Sequence, residues 1–364
     1  MVPPGGNTRE RNRGRAVTAG GQSTSYTTSI QIFNIQSQGN TVEVGELSQN
    51  NWGLGACGSS TRGLFGGGRT SPGGSGNYLN TIEFVTIANA GNSSDFGDLT
   101  RKASYINSLG NETRGIWAGG YDVDTKPATN IGQNTMDYVT VASTGNAADF
   151  GNMTVARAAG GDAGHSSETR ALLAAGSTPS SDANDTIDFI TIASTGNGVD
   201  FGNLTQSVSG IIASGNATRG LLSGGSYLPS YAYRNTIDVV TIATTGNAVD
   251  FGFDLTTAGG GRCCDNSVRA LYQVAAGDNK QIETVIIATL SNSFDFGELT
   301  QTNDGGSFGT SDPTRGLFGL NTPSGGTNIM EYISMSAGGT AVDFGDLTQA
   351  ITNSGATSNA HGGL

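Results

Sequence analysis

Charge is scarce in this chain, and lysine scarcer still. Asp, Glu, Lys and Arg make up 13% of the 364 residues, about half of ordinary usage. Only three of the 18 basic residues are lysine, and against 30 acidic groups they leave a formal net charge of −12. That balance speaks against nucleic-acid binding through a basic surface. Cys57, Cys263 and Cys264 are too few for a disulfide framework and odd in number. Two distant histidines, His165 and His361, give no zinc-type ligand spacing. No apolar run approaches the ~18 residues a membrane helix needs, so no membrane insertion is expected. Residues 1–15 lack the apolar stretch of a secretory signal, so export by that route is not expected. No segment carries apolar residues at the 3.6-residue helical period, and helix should be close to nil.

Glycine is what the chain has in excess, 58 residues without the three-residue period of collagen. Much of it belongs to an internal repeat. Thr61-Arg62-Gly63-Leu64-Phe65-Gly66-Gly67 recurs at Thr113, Thr169 and Thr218, with looser copies at Arg15, Arg269 and Arg315. The arginines at 15, 62, 114, 170, 219, 269 and 315 mark seven copies, 46 to 56 residues apart. A second block reads Thr186-Ile187-Asp188-Phe189-Ile190-Thr191-Ile192-Ala193. A third reads Ser194-Thr195-Gly196-Asn197 and then Asp200-Phe201-Gly202-Asn203-Leu204-Thr205, its Phe recurring at 96, 150, 251, 296 and 344, with Val44 in the first copy.

The Thr-Ile-Asp block has the β-branched and aromatic content of a strand buried on both faces, and Thr-Gly-Asn is tight-turn chemistry. A small-residue stretch after the Phe block, such as Val208 to Ser214, reads as a strand crowded by its neighbours. Four short strands in ~50 residues, seven times over, predict an all-β, seven-bladed β-propeller of antiparallel blades. Residues 14–364 form the propeller in this reading and residues 1–13 a separate arm. The small-residue strand lies innermost and the Asp-Phe-Gly strand outermost, with its Phe between blades. Residues 204–221 match 347–364, so the chain should end on an innermost strand (about 350–358) that pairs with a strand near 14–21 and closes the ring.

The run Met153-Thr154-Val155-Ala156-Arg157, a small-residue strand, a double glycine and then Thr-Ile-Asp-Phe resembles the kelch repeat of galactose-oxidase-like propellers. The fuller wording, from Thr-Arg-Gly-Leu-Phe-Gly-Gly to Asp-Phe-Gly-Asp-Leu-Thr, is similar to kelch-like repeats of virion structural and tail-fibre-associated proteins of marine bacteriophages, cyanophages among them. The likeness covers nearly all of the chain after residue 14, and departs from cellular kelch in carrying Phe where those have Trp. It implies a virion location and a non-catalytic tail-fibre, receptor-binding or decoration component. The alternative is a carbohydrate-binding, lectin-like propeller outside a virion.

Motifs with catalytic associations have plain structural readings. Gly305-Gly306-Ser307-Phe308-Gly309 has the G-x-S-x-G form but falls in an innermost strand, not at a strand-to-helix turn. The Asp-Phe-Gly copies lack every other kinase element. A copper site of the galactose-oxidase kind would need a histidine pair that is missing. No enzyme activity, cofactor or metal site is therefore expected, though an acidic turn such as Asp122-Val123-Asp124 could take calcium. Cys57 and Cys264, each five residues before a repeat arginine, read as small packed residues rather than a redox pair.

The regular arginines (Arg62, Arg114, Arg170, Arg219, Arg269, Arg315) accompany an equally regular acid (Glu83, Asp137, Asp188, Asp238, Glu283, Glu331), which predicts ion pairs within blades. The alternative is an arginine ring that binds an anion on the axis. Links from the double-Gly strand to the Thr-Ile strand differ from copy to copy and hold Tyr26, Tyr78, Tyr121, Tyr227, Tyr231 and Tyr233, with Arg69, Lys126 and Arg234. Variable loops on a rigid scaffold are where recognition resides, and tyrosine gives broad contact at little entropic cost. These residues are the candidate ligand site, for a host surface glycan or a neighbouring virion protein. The arm, with Arg9, Arg11, Arg13 and Arg15 against Glu10, could dock residues 1–15 onto an acidic partner.

Overall fold

The computed structural model describes residues 14–358 other than 24, 72–76, 90, 123–130, 159–162, 181, 228–229, 231, 253, 257–260, 274–278, 290–291, 304–306 and 323–324. The arm 1–13, Lys126, Tyr231 and His361 lie outside the described residues. No helix occurs among those described. The strands form seven small antiparallel sheets, the blades of a propeller. From the axis outward, blade 2 is Gly55–Gly58, Arg62–Gly66, Thr81–Thr86 and Ser94–Asp98. Blade 3 is Asn107–Gly110, Arg114–Ala118, Ile131–Thr140 and Ala148–Arg157, and blade 4 is Gly164–Ser166, Arg170–Ala174, Asn184–Thr191 and Val199–Val208. Blade 5 is Ile212–Gly215, Arg219–Ser223, Ile237–Thr241 and Val249–Asp250. Blade 6 is Arg262–Asp265, Arg269–Gln273, Asn279–Ile286 and Phe294–Asn303, and blade 7 is Phe308–Ser311, Arg315–Thr322, Gly325–Ser334 and Val342–Asp346.

Blade 1 closes the ring as the matching chain ends require. Its three outer strands, Arg15–Ala19, Ser29–Asn34 and Val42–Glu46, come from the front of the chain, and Gly355–Ser358 supplies the innermost one. Ala16 pairs with Ser358 and Ala19 with Gly355. Each innermost strand also lies against the next, blade 7 against blade 1 included. The described core divides into seven apolar clusters, one in each gap between consecutive blades. Phe96, Phe150, Phe201, Phe251, Phe296 and Phe344 are all buried, as a wedge between blades must be.

One clasp is repeated around the rim. In blades 3, 4 and 5 the Thr-Gly-Asn turn, and in blade 1 the Gln-Gly-Asn turn, seats on the Asp-Phe-Gly strand of the blade before it. Gly246 N donates to Phe201 O at 2.7 Å, Ala248 N to Asn203 O at 2.8 Å, and Asn203 N to the Asn247 side chain at 3.1 Å. The same contacts join Phe96 to Gly145, Phe150 to Gly196 and Phe344 to Gly39. Gly202 must be glycine for two reasons: its φ is +143°, and a Cβ there would lie 2.5 Å from the Gly246 carbonyl.

The predicted ion pairs are not formed, and strand parity explains why. Arg62 lies opposite Thr86, whereas Glu83 lies opposite Phe65, three positions along. An odd offset puts the two side chains on opposite faces of the blade. The arginines face the next blade. Nη1 of Arg62, Arg114, Arg170, Arg219 and Arg315 donates to the carbonyls of Val141, Ile192, Ile242, Ile287 and Ile35. Most also stack on an aromatic ring of their own blade, at 4.6 Å for Arg62 on Phe84 and 4.9 Å for Arg269 on Phe296. The acids face the previous blade, where Glu83 takes Ser48 N. Asp137, Asp188, Asp238, Glu283 and Glu331 each take both the N–H and the hydroxyl of Thr100, Thr154, Thr205, Thr256 and Thr300. Gln31 does the same job in blade 1, accepting from Thr348 N at 2.8 Å. Among the described residues Asp188 alone of this set forms an ion pair with an arginine, and it is Arg157 of blade 3, not Arg170.

Candidate binding face

Because strands alternate in direction, the loops between second and third strands emerge on one face of the disc, together with the links that carry the chain to the next blade. The near-identical turns emerge on the other. The variable tyrosines therefore share a face with the links, and the structure sorts them into two groups.

The first group is packed. Tyr26 stacks on Trp52 at 5.5 Å, Trp52 meets the edge of Tyr105 at 4.9 Å, and Tyr105 meets Tyr121 at 5.7 Å. The Arg69 guanidinium sits 4.2 Å above Trp52 and 5.5 Å from Tyr105. Isolated β-bridges join Arg69 to both Trp52 and Tyr78, which fixes its backbone. Burial raises the Tyr78 phenol, and the Arg69 charge and hydrogen bond oppose that rise. Burial likewise pushes Tyr105 up to about 12. Tyr26 and Tyr78 are only 6% and 4% exposed, so they support this surface from beneath rather than present themselves to solvent.

The second group is open. Ser226–Tyr227 and Ala232–Tyr233 form a two-stranded hairpin beyond blade 5. Tyr227 is 42% and Tyr233 60% exposed, and Arg234 lies over the Tyr227 ring at 5.4 Å. Neither Arg69 nor Arg234 has a carboxylate within ion-pair distance among the described residues. Both guanidiniums lie instead against aromatic rings.

Trp52 and Tyr105 carry the first group, and the sequence reading overlooked both. They lie in the blade-to-blade links, where the repeat aligns least well. The usable signal was contrast. Gly53, Tyr105, Gly210 and Asn353 occupy equivalent link positions, and all four have left-handed backbones, with φ of 69°, 53°, 67° and 51°. Glycine and asparagine suit that region, whereas a bulky aromatic side chain there is an outlier.

Beside these rings the innermost strands leave a cavity of about 100 Å³ at the axis. Trp52 and Tyr105 line one side, and Arg262, Ser307, Asn353 and Ser354 the other. Arg262 is held by Ser307 O, Gly261 O and Asn353 Oδ1, at 3.3, 3.2 and 3.0 Å. Trp52 Nε1 and Asn107 Oδ1, both in residues of the wall, are buried with no protein partner.

Ser307 Oγ is 3.4 Å from Ser354 Oγ, while His165 is bound to Asn216 O in the gap between blades 4 and 5. Cys57, Cys263 and Cys264 are buried thiols outside any disulfide among the described residues, and burial raises the Cys57 thiol to about 12, far from a reactive thiolate. Asp122 is buried, and Val123 and Asp124 lie outside the described residues. No group of three or more His, Cys, Asp or Glu side chains poised for a metal occurs among those described. Comparison of the sequence with family models and with curated proteins returns no match.

Proposed function

We propose that this propeller is a non-catalytic recognition component of a bacteriophage particle, a tail-fibre, receptor-binding or decoration protein that presents its variable-loop face to a host glycan or a neighbouring virion protein. One contrast carries the reading. The blade gaps and the opposite face are built from the same few contacts repeated around the ring, whereas aromatic rings with arginines stacked on them gather on the loop face. The exposed Tyr227 and Tyr233 make that face a contact surface, since large amphipathic rings left in water are characteristic of binding sites. The likeness of the repeat wording to kelch-like virion proteins supports the particle setting, in which the arginines of residues 1–13 would meet an acidic neighbour, while Arg15 is committed to the carbonyls of Ile87 and Ala88.

The test is a double substitution, Tyr227→Ala with Tyr233→Ala. Adsorption to host cells, or retention on purified particles, should fall at least tenfold while the melting temperature holds. Unchanged adsorption and unchanged particle association would overturn the reading. Glycan binding by a protein that never copurifies with particles would move it to the free lectin class.

A further inference from the structure

We propose that the axial cavity is a monosaccharide subsite, seating the terminal neutral pyranose of a glycan, a reading that rests on the loop face being the recognition surface. The wall has the polarity of that ligand. A pyranose has an apolar C–H face and a rim of hydroxyls. The cavity sets Trp52 and Tyr105 on one side and the polar groups of Ser307, Asn353, Ser354 and Arg262 on the other.

Its size selects one ring. About 100 Å³ gives roughly seven to ten water positions, enough for most of the twelve heavy atoms of a hexopyranose and too little for a disaccharide or a folded peptide segment. The wall offers groups of both kinds: the Ser307 and Ser354 hydroxyls can each donate and accept. A sugar hydroxyl also does both, so it matches these groups where a hydrocarbon or a simple anion would not. The Arg262 donors are already directed at two carbonyls and Asn353, which makes it a wall for hydroxyl oxygens rather than a carboxylate clamp.

The aromatic side is also held deliberately. Tyr105 keeps a left-handed backbone that the equivalent Gly53 and Gly210 adopt without strain. Its ring is what places an apolar platform beside Trp52, 4.9 Å away.

The experiment titrates the intact protein with the methyl glycosides of glucose, galactose, mannose and N-acetylglucosamine, following tryptophan emission. Trp117, the other tryptophan, is fully buried between blades and gives a constant background. At least one glycoside should produce a saturable change with a millimolar dissociation constant. Tyr105→Gly and Ser307→Ala should each weaken it tenfold or more, and Val268→Thr, in an exposed turn of the opposite face, should leave it alone. Tyr105→Gly puts at that position the residue found at Gly53 and Gly210, so a failure to fold is not expected to mask the result. No saturable response, or one that Tyr105→Gly does not alter, overturns the subsite. If the sugars are silent but the hairpin variant still abolishes adsorption, the subsite falls and the loop-face function stands. If the sugars bind but adsorption survives every loop substitution, the reverse holds.

Discussion

The blade gaps and the axial mouth are built by opposite rules. In each gap an acid or glutamine of one blade receives a Thr or Ser of the blade before it, as Asp238 receives Thr205 at 2.7 Å. The residues change little because the neighbouring blade presents the same surface each time. At the mouth, equivalent positions hold Gly53, Tyr105, Gly210 and Asn353 on one backbone geometry. There the scaffold is constant and the side chains diverge. Repetition marks what closes the ring, and departure from repetition marks what the ring displays.

The comparison breaks most visibly where one gap departs from the rest. Asp188 accepts Thr154 like its counterparts but also meets Arg157 Nη2 at 2.8 Å, with both side chains fully buried. Burial lowers the Arg157 pKa, and Asp188 opposes that shift. Asp188→Ala leaves a buried guanidinium without its counterion and should cost about 4 kcal/mol. Asp238→Ala, at the same position one blade on, removes hydrogen bonds but strands no charge and should cost about half as much. Urea unfolding of the two variants checks this, and equal losses would mean that the ion pair adds nothing to the shared motif.

Next in size is the clasp. Gly202→Ala drives a Cβ into the Gly246 carbonyl at a positive φ and should cost about 3 kcal/mol. Gly210→Ala also has positive φ, but nothing lies within 4 Å of the added carbon, so only the backbone term of about 1 kcal/mol remains. Thermal melts of both variants separate contact from conformation.

The blade count, the strand order, the Phe wedges and the ring closure could be read in advance because each blade solves the same local problem with the same words, whereas the clasp and the acid–threonine contacts of the gaps were not foreseen. Asp-Phe-Gly, Thr-Gly-Asn and the regular acid all recur, and the matching chain ends foretold the pairing of Ala16 with Ser358. The arginines and acids were misassigned because their regular spacing was taken for proximity. Only the register of Arg62 with Thr86 shows that an odd offset sends them to opposite faces. The mouth was half legible. Tyr26, Arg69, Tyr78 and Tyr121 come from variable loops, which mark themselves. Their meeting with Trp52 and Tyr105 depends on which three neighbouring links converge near the axis, and no single repeat encodes that.

Blade 4 offers a third way to sharpen the contrast, through pH. His165 occupies an innermost-strand position held by Cys57, Ser214 and Cys264 in other blades, and burial drives its pKa from 6.5 to about 4. Nε2–H donates to Asn216 O at 3.0 Å, and Nδ1 has no partner. The folded state therefore keeps the ring neutral while the unfolded chain takes up a proton. Stability contributed by His165 is intact above pH 6.5 and falls as pH drops toward 4, by about 3 kcal/mol across the window. The buried Asp265, which accepts Gly215 N, has a raised pKa and pulls the other way, gaining stability on acidification. His165→Ser should therefore flatten or invert the pH profile of the melting temperature between 6.5 and 4. An unchanged slope would show that the imidazole is hydrated in the folded state.

The smallest effect on stability belongs to the hairpin, and its smallness is the point. Tyr227 and Tyr233 stand in solvent beyond blade 5, outside the seven core clusters. Replacing both with serine removes one cation–π contact, Arg234 on Tyr227, and should move stability by no more than about 0.5 kcal/mol. Replacing Phe201, wedged between blades 4 and 5, with alanine should cost about 4 kcal/mol for the loss of a single ring. If the serine pair proved as damaging as the loss of Phe201, the hairpin would be part of the scaffold, and the division between a repeated frame and a displayed surface would have to be redrawn at blade 5. If it is silent in the melt, the hairpin lies outside the folding core and the division at blade 5 stands.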